Sequence, residues 1–376
     1  MAQGDRSSAL DQLRHAASLG IDEAVSLPPR CYRDPAIYEL EQREIFGRDW
    51  IHIGRACDIS EPGDYLAADL PGAAVMAVRQ KDGSIKVLSR VCRHRGALVA
   101  SEGSGHSGVF SCPYHRWTYE LDGRLRAAPT MEGNPAFKRE NCALPEFRME
   151  IWQGFIFVTL SADAAPLGAA LAPLSVMIDK YDIGDWRSAF SVEDVWDTNW
   201  KVAFENACES YHHIGFHQHS LDPIWPGLTT QPGKGDEAFN FHVVPSIPDF
   251  RYREVEGVTL DDGAMSHFFI CGIYPSLTLV LAGPSTIWFS FEPLSVDRVR
   301  VRAGQLNPAA YFDAPNLEEM VAGDRAMLVG ILEEDKVGCL GVQQGLSMAD
   351  AASGPLSPLE RPIAEFVRYL ARRLAA

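Results

Sequence analysis

Two pairs of cysteine and histidine constrain this sequence more than any other feature. Cys92 is followed two positions later by His94, and Cys112 is followed three positions later by His115. Thiolate and imidazole are ligands that zinc and several transition metals prefer, so the two pairs predict one shared metal site. The fold must therefore bring two separate loops face to face.

The segments around these pairs predict a small domain made of strands. Runs such as 73–79, 85–91 and 151–160 alternate with turns that contain Pro-Gly, Asp-Gly or other glycine-rich sequences. Short β-rich runs between such turns are typical of antiparallel sheets. We expect an all-β domain at residues 45–162, preceded by a helical segment at 1–44 that packs on the domain that follows.

The remaining residues, 163–376, have a mixed pattern. Helical periods near 197–214 and 316–347 flank strand-like runs at 267–282 and 286–303. A sheet covered by helices is the usual way to bury both kinds of apolar face. The chain is therefore predicted to be α+β, with the all-β domain followed by a larger α+β domain.

The charge of the chain limits its partners. Asp and Glu (50) outnumber Lys and Arg (34), which gives a formal net charge of −16 and disfavours nucleic acid or an anionic membrane as a partner. No stretch reaches the roughly 18 apolar residues that a membrane span requires, and the N-terminus lacks the apolar core of a secretory signal. We expect a cytoplasmic protein, because its 8 cysteines are spread along a long chain.

The two Cys–His pairs admit two kinds of metal centre. Two thiolates and two imidazoles can bind a [2Fe-2S] cluster, with the thiolates on one iron and the imidazoles on the other. The alternative is a structural zinc ion, which uses the same ligand types in a tetrahedron. Zinc fingers usually pair Cys with Cys and His with His in a domain without its own core, so the mixed pairs favour the cluster.

A second group of candidate ligands lies at residues 199–219. Apolar residues recur there at spacings of four, four and three, which predicts an amphipathic helix: Trp200, Phe204, Cys208 and Tyr211. Glu209 and His212 would be neighbours on consecutive turns of another face. Gly215 is a plausible helix end that lets His217 return toward His212.

A carboxylate for the same site is expected on a helix near the C-terminus. An apolar stripe along that helix is interrupted only by Asp335, and a carboxylate buried there is costly unless a cation meets it. Two histidines and one carboxylate form the facial triad that binds Fe(II) and leaves positions open for O2. The expected iron ligands are His212, His217 and Asp335, with Glu334 as a substitute if the helix is rotated.

Both groups of residues resemble one family. Cys-Arg-His-Arg-Gly at 92–96 with Cys-Pro-Tyr-His-Arg-Trp at 112–117 resembles the Rieske motif of ring-hydroxylating oxygenases. Glu-Asn at 205–206, with the Glu, Tyr and His residues at 209–217, resembles the iron-binding motif of the same enzymes. Glu-Asp at 334–335 resembles their last ligand segment, and the resemblance covers nearly the whole chain.

The resemblance implies a Rieske domain followed by a catalytic domain of the helix-grip, START-like kind. It implies the terminal oxygenase of a system in which electrons from NAD(P)H arrive through a flavin reductase or a ferredoxin. The mononuclear Fe(II) would use O2 to hydroxylate a small organic, aromatic substrate, as in aromatic hydrocarbon catabolism. It further implies a homotrimer, in which Glu209 links the partner subunit's His115 to the local His212, and Asn206 orients the site through hydrogen bonds.

The sequence leaves the substrate open. Aromatic residues are expected in a pocket near the iron: Phe204, Trp225, Tyr274 and Trp288, together with Phe268 and Phe291. Such walls suit an aromatic ring, and equally a quaternary ammonium group that is held by cation–π contacts and then demethylated or hydroxylated. The alternative from another class is a non-catalytic Rieske electron carrier. In such a protein, His212, His217 and Asp335 would not lie close together.

Overall fold

The computed structural model describes residues 3–375 of the chain and divides it into two compact units. One unit is Phe46–Gly168, and the other combines the chain up to Ile45 with the chain from Ala169 onward. Each unit is built on its own seven-stranded antiparallel sheet. The predicted fold class is confirmed: an N-terminal all-β domain is followed by a larger domain in which helices cover a sheet.

The helices of the described residues range in length from 4 to 30 residues. They are α1 (Gln3–Ser18), α2 (Arg30–Arg33), α3 (Pro35–Glu41), α4 (Leu167–Ala170), α5 (Ala172–Ile178), α6 (Trp200–Ala207), α7 (Leu317–Leu346) and α8 (Arg361–Leu374). Among residues 3–375, none of these helices has both the length and the apolar character needed to cross a membrane.

The strands fall into two groups, one in each unit. In the first unit they are β1 (Ile51–Arg55), β2 (Asp64–Leu70), β3 (Ala73–Arg79), β4 (Ile85–Ser89), β5 (Gly103–His106), β6 (Phe110–Ser111), β7 (Thr118–Tyr119), β8 (Leu125–Ala127), β9 (Glu146–Trp152) and β10 (Phe155–Thr159). In the second they are β11 (Arg187–Trp196), β12 (Gln231–Pro232), β13 (Phe239–Pro245), β14 (His267–Ile273), β15 (Leu277–Ala282), β16 (Ser285–Ser295) and β17 (Arg298–Asn307).

The first unit carries the two Cys–His loops beside a small second sheet. Its large sheet has the order β1-β10-β9-β4-β3-β2-β5, and β6, β7 and β8 form the small one. One loop follows β4 and the other joins β6 to β7. Cys92 and Cys112 belong to a buried core together with Phe110, Trp117 and Tyr119, so the base of each loop is fixed by apolar packing.

The second unit places two helices against one end of its sheet. The strand order is β11-β17-β16-β15-β14-β13-β12, and every neighbouring pair is antiparallel. Helix α6 packs against α7 and β16, while α7 also contacts β11. At the start of α6, the backbone N–H of Asn199 donates to the side-chain oxygen of Gln343 on α7, 2.9 Å away. The sheet and the two helices therefore enclose a common space.

Helix α6 is shorter than its apolar spacing predicts. The helix ends at Ala207, and a separate 3-10 turn at Tyr211–Ile214 follows three non-helical residues. The carboxylate of Glu209 accepts hydrogen bonds from the backbone N–H groups of Tyr211 and His212. Such side-chain bonds to the backbone compete with the hydrogen bonds of a helix. The chain therefore turns at Glu209, directly after the C-cap residue of α6. The predicted continuous helix through residue 214 is therefore wrong.

A buried ion pair joins α6 to the N-terminal segment. The ammonium of Lys201 lies 2.6 Å from Oε1 of Glu41, and the two side chains are 1% and 0% exposed. The indole N–H of Trp200 donates to the other carboxylate oxygen at 2.7 Å. Next to this pair, the hydroxyl of Tyr32 donates to Glu205 at 2.7 Å. The position of α6 therefore depends on buried polar bonds as well as on apolar packing.

Replacing Lys201 with Met leaves the Glu41 carboxylate buried without its cation. We expect this variant to lose roughly 3–5 kcal/mol of the free energy of unfolding, measured by guanidinium titration. The matched control is Lys180→Met, which removes the cation of an exposed pair with Asp261 and should cost less than about 1 kcal/mol. Equal effects of the two substitutions would contradict the role given to the buried pair.

Candidate functional site

The two Cys–His loops share one backbone design. The N–H of Cys92 donates to the carbonyl of Ala97 at 2.9 Å, and the N–H of Cys112 donates to the carbonyl of Trp117 at 2.8 Å. Each loop thus closes on itself five residues after its cysteine. These backbone hydrogen bonds hold each cysteine at the base of its loop, where the two ends of the loop meet.

Each loop also contains one residue in the left-handed conformation. Gly96 has a φ of 80° and Arg116 a φ of 60°, and their N–H groups donate to the carbonyls of Cys92 and Cys112, both at 3.0 Å. A non-glycine residue rarely adopts this conformation unless its surroundings impose it. The turn geometry at Arg116 is therefore required by the loop and not by the residue type.

The four candidate cluster ligands are brought together, with the sulfurs inside and the imidazoles outside. Cys92 and Cys112 are buried, whereas His94 is exposed and His115 is half-buried. The two imidazole rings lie 4.5 Å apart between centroids, and His94 stacks on Trp117 at 4.8 Å. This arrangement suits a cluster whose imidazole-bound iron faces solvent or a redox partner.

The polar atoms at the loops fit a [2Fe-2S] cluster. Within the described residues, Nδ1 of His115 is buried and has no hydrogen-bond partner, which leaves it available to a metal. The hydroxyl of Tyr119 accepts from the N–H of Arg93 at 3.0 Å and lies 3.2 Å from Sγ of Cys92. The proton of that hydroxyl can be donated to the sulfur, which is the contact that a thiolate ligand requires.

The predicted iron ligands converge in the second unit. The ligand atoms of His212, His217 and Asp335 all lie within 4.8 Å of one another. Nε2 of His217 is 2.9 Å from Oδ1 of Asp335, and Nε2 of His212 is 3.5 Å from the same oxygen. Two imidazoles and one carboxylate on three sides of a small space are the donor set of a non-haem Fe(II) site.

Two outer carboxylates orient the two imidazoles. Nδ1 of His212 lies 2.6 Å from Oε1 of Glu209, and Nδ1 of His217 lies 2.6 Å from Oε2 of Glu334. The hydroxyl of Ser220 also donates to Glu334. Both rings therefore present Nε2 to the centre, which is how metal-binding histidines are usually held.

The structure gives Asn206 and Glu334 specific places around the triad. The amide nitrogen of Asn206 donates to Oδ1 of Asp335 at 2.7 Å, so this residue orients the carboxylate directly. The sequence offers Glu334 as a substitute ligand, but in the structure its carboxylate contacts Nδ1 of His217. Its partner is 117 positions away, and no local pattern in the sequence signals that contact.

The facing carboxylates control the charge of the imidazoles. Burial disfavours a charged His212, but Glu209 and Asp335 outweigh that effect and raise its pKa to about 10. Burial acts likewise on His217, whose pKa is nevertheless raised, chiefly by the hydrogen bond to Asp335. Burial would raise the pKa of Asp335, yet its bonds to the two imidazoles hold that pKa well below the usual range. A divalent cation would replace the protons that these groups share.

A mostly apolar pocket lies against the triad. Two helices contribute residues at helical spacing: Ala203, Asn206 and Ala207 from α6, and Leu328, Ile331, Leu332 and Asp335 from α7. The sheet contributes alternating residues from three neighbouring strands: Phe268 and Ile270, Val280, and Ile287, Phe289 and Phe291. One face of the sheet is thus the floor of the pocket, and the candidate iron ligands form part of its wall.

Three of the aromatic residues expected in the pocket lie in the core instead. Phe204 packs against Phe366 at 4.7 Å and Tyr274 stacks on Tyr369 at 4.5 Å. Trp288 lies over Gly304 on the opposite face of the sheet, because alternate residues of a strand point to opposite sides and Phe289 faces the pocket. The expectation that these residues line the pocket is therefore corrected.

Trp225 also lies outside the lining. It stacks on Phe268 with 4.0 Å between ring centroids, so it forms a layer behind the pocket wall. Phe268 and Phe291, by contrast, do line the pocket. The sequence could identify the aromatic residues of the region but not the side of each strand that faces the iron ligands.

A third histidine lines the pocket without joining the triad. Nδ1 of His213 donates to the carbonyl of Trp225 at 3.1 Å, and the residue is buried. Burial lowers the pKa of His213 to about 4. His213 is not part of the group formed by His212, His217 and Asp335. This agrees with its position directly after His212 on the same turn.

Comparison with known protein families matches both units. The family described as Rieske [2Fe-2S] domain matches residues 49–147, and the family described as ring hydroxylating alpha subunit (catalytic domain) matches residues 183–376. The cluster loops lie within the first match, and the candidate iron ligands lie within the second.

Curated relatives include two kinds of oxygenase subunit. The chain is 31% identical over 290 residues to the biphenyl 2,3-dioxygenase subunit alpha of Rhodococcus jostii, covering 76% of this chain and 60% of that protein. It is 35% identical over 199 residues to the glycine betaine monooxygenase oxygenase subunit of Chromohalobacter salexigens, covering 53% and 44%. The chain thus spans about half of the length of these relatives.

Solved structures share the fold over nearly the whole chain. A quaternary ammonium Rieske monooxygenase superposes with a TM-score of 0.83 at 21% identity, covering 97% of this chain and 98% of the other. Naphthalene 1,2-dioxygenase from Rhodococcus sp. superposes with a TM-score of 0.82 at 20% identity, covering 100% and 99%. At these identities the likeness establishes the fold.

Substitution of Glu334 tests whether it holds His217 for a metal. We expect Glu334→Gln to weaken ferrous iron binding at the second unit by roughly 10–100-fold, because the imidazole loses its orienting carboxylate. The matched control is Glu333→Gln, which removes an exposed carboxylate from the neighbouring position of the same helix. Anaerobic titration with ferrous iron measures both, and equal affinities would show that Glu334 has no such role.

Proposed function

This chain belongs to the ring-hydroxylating alpha subunit family, and we propose that it is the terminal oxygenase component of a Rieske non-haem iron system. It would use O2 and externally supplied electrons to hydroxylate a small organic, aromatic molecule. The observation that carries the proposal is the convergence of His212, His217 and Asp335 beside an apolar pocket. The same chain carries the two Cys–His loops, and a pure electron carrier would have no need of the second site.

The proposal assigns a holding role to each group of ligands. Cys92, Cys112, His94 and His115 would hold the [2Fe-2S] cluster, and His212, His217 and Asp335 would hold Fe(II). When bound, the two centres supply electron storage and O2 activation, chemistry that amino-acid side chains cannot provide. The protein supplies geometry: Asn206 and Glu334 would fix two of the iron ligands, and a mostly apolar pocket adjoins them. The proposed limits are 1–44 for the helical segment, 45–162 for the cluster domain and 163–376 for the iron domain.

Glu209 is the proposed connection between the two kinds of metal site. Its carboxylate contacts Nδ1 of His212, and we place it between that ring and the partner subunit's His115 in a homotrimer. Exposed apolar residues surround this turn: Tyr211 is 37% exposed, Ile214 42% and Phe216 47%. A cluster of exposed apolar side chains next to a functional residue is typical of a surface that another protein covers.

Electrons would come from NAD(P)H through a ferredoxin or a flavin reductase. Arg93, Arg95 and Arg116 are exposed beside the cluster loops of an otherwise acidic chain. A basic surface of this kind suits an acidic electron-transfer partner. The proposal places the enzyme in the cytoplasm, with a role in aromatic hydrocarbon catabolism.

Oxidation of a quaternary ammonium compound is the second candidate function. The similarity to a glycine betaine monooxygenase oxygenase subunit favours it, as do the phenylalanine rings of the pocket. Aromatic faces attract such cations through their quadrupoles.

Substrate-dependent turnover tests the proposed function. The holoprotein is supplied with NADH and a generic reductase, and aromatic hydrocarbons, aromatic acids and methylated ammonium compounds are compared. Consumption of O2 and NADH in proportion to hydroxylated or demethylated product would support an oxygenase and choose between the two candidate functions. Consumption that yields only peroxide with every compound would count against both.

Substitution of Asp335 separates the iron site from the cluster. We expect Asp335→Ala to abolish product formation, because the iron loses its only carboxylate ligand, while the visible and EPR signals of the cluster stay unchanged. The control is Glu333→Ala on the same helix, which should keep its activity. Product formation by Asp335→Ala would overturn the assigned triad.

Substitution of Glu209 tests the proposed electron path. We expect Glu209→Gln to keep both metal centres but to slow reoxidation of the prereduced cluster by O2 and substrate by roughly 10–100-fold. Stopped-flow absorbance follows that reoxidation, and iron and sulfide analysis confirms that both centres are loaded. Wild-type reoxidation in a fully loaded variant would show that electrons take another route.

A further inference from the structure

Most polar groups of the pocket lining are already paired. The carboxylate of Glu209 is bonded to His212, and the hydroxyl of Ser210 pairs with Nε2 of His242 at 2.8 Å. The amide nitrogen of Asn206 is bonded to Asp335, which leaves the amide oxygen as an acceptor. Besides this amide oxygen, the imidazole of His213 is a polar group of the lining outside the triad.

The second ring nitrogen of His213 is an open hydrogen-bond acceptor. Its Nδ1 faces the carbonyl of Trp225, and a carbonyl only accepts, so Nδ1 carries the proton. In the neutral tautomer that this contact selects, the lone pair is on Nε2. Within the described part of the chain, no hydrogen bond to this Nε2 is present.

The pocket lining is poorly suited to a substrate carboxylate. None of its lining residues, all of which belong to the described range 3–375, is Lys or Arg. The charged lining groups are instead Glu209, Asp335 and the iron-facing imidazoles. The positive charge at this wall, on the imidazoles or on an iron ion bound in their place, is already matched by the carboxylates of Asp335, Glu209 and Glu334. A further buried carboxylate would therefore carry a large desolvation cost, which disfavours an anionic or zwitterionic substrate.

We propose that His213 is a specificity-determining residue, whose Nε2 accepts a hydrogen bond from a hydroxyl or N–H group on an otherwise apolar, carboxylate-free substrate. This inference rests on the proposed function and narrows its substrate class. A buried acceptor that a ligand leaves unpaired costs binding free energy, whereas a well-placed donor removes that cost. Sites built this way discriminate strongly against analogues that lack the donor.

Phenol and toluene are matched probes for this inference. They share a benzene ring, which carries a hydroxyl group in phenol and a methyl group in toluene. Binding is measured by calorimetry on anaerobic, iron-loaded protein. We expect the ratio of phenol affinity to toluene affinity to fall by roughly fivefold to tenfold in His213→Phe, which keeps a ring but has no acceptor. The two probes differ in their hydration free energy, but this difference is the same for the wild-type protein and for the variant. It therefore cancels when the two affinity ratios are compared.

Three further comparisons complete the experiment. His213→Gln, which restores an acceptor, should recover part of the phenol preference, and Phe289→Leu should weaken both probes without changing their ratio. Benzoate and glycine betaine should bind at least about tenfold more weakly than phenol. If His213→Phe does not fold, His213→Leu provides the second apolar replacement.

An unchanged ratio in the apolar variants would overturn the inference, as would the absence of measurable phenol binding to the iron-loaded wild-type protein. Tight benzoate binding would also overturn it. Iron and sulfide contents are measured on the same samples, so failure of the proposed function, in which the metal centres do not form, is distinguishable from failure of the substrate inference.

Discussion

The carboxylate of Asp335 lies between two imidazoles, and the rest of the catalytic unit is arranged to keep it there. Burial in an apolar stripe would make this carboxylate unfavourable without positive charge beside it. His212 and His217 provide that charge when protonated, and a divalent metal would provide it instead. Each imidazole is in turn fixed by an outer carboxylate, so the protein holds three negative groups around one small space. Such an arrangement is stable only around a cation.

The fold serves this centre by bringing three surfaces together. A sheet face of alternating apolar residues forms the floor of the pocket, and faces of α6 and α7 form its sides. The early end of α6 is as important as the helix itself. Because Glu209 bonds to the backbone just after it, the chain turns and directs His212 toward the centre. Glu209 thus shapes the backbone and also orients a candidate metal ligand.

The sequence was informative where a pattern is local. Helical spacing placed Asp335 on a buried face, and the mixed Cys–His pairs marked the cluster loops. It was less informative where geometry depends on distant partners. The bond from Glu334 to His217 joins residues far apart in the chain, and the direction of Trp288 depends on which sheet face meets the helices. The end of α6 was missed because the apolar period continues past it, whereas side-chain bonds to the backbone decide where the helix stops.

The central claim is that one chain holds two different iron centres. Iron and acid-labile sulfide analysis of anaerobically purified protein, with EPR of the dithionite-reduced sample, tests it most directly. We expect about three irons and about two sulfides per chain, with a Rieske-type reduced signal. Two irons with full sulfide, persisting after reconstitution with ferrous iron, would indicate an electron carrier. Zinc without sulfide would contradict the account altogether.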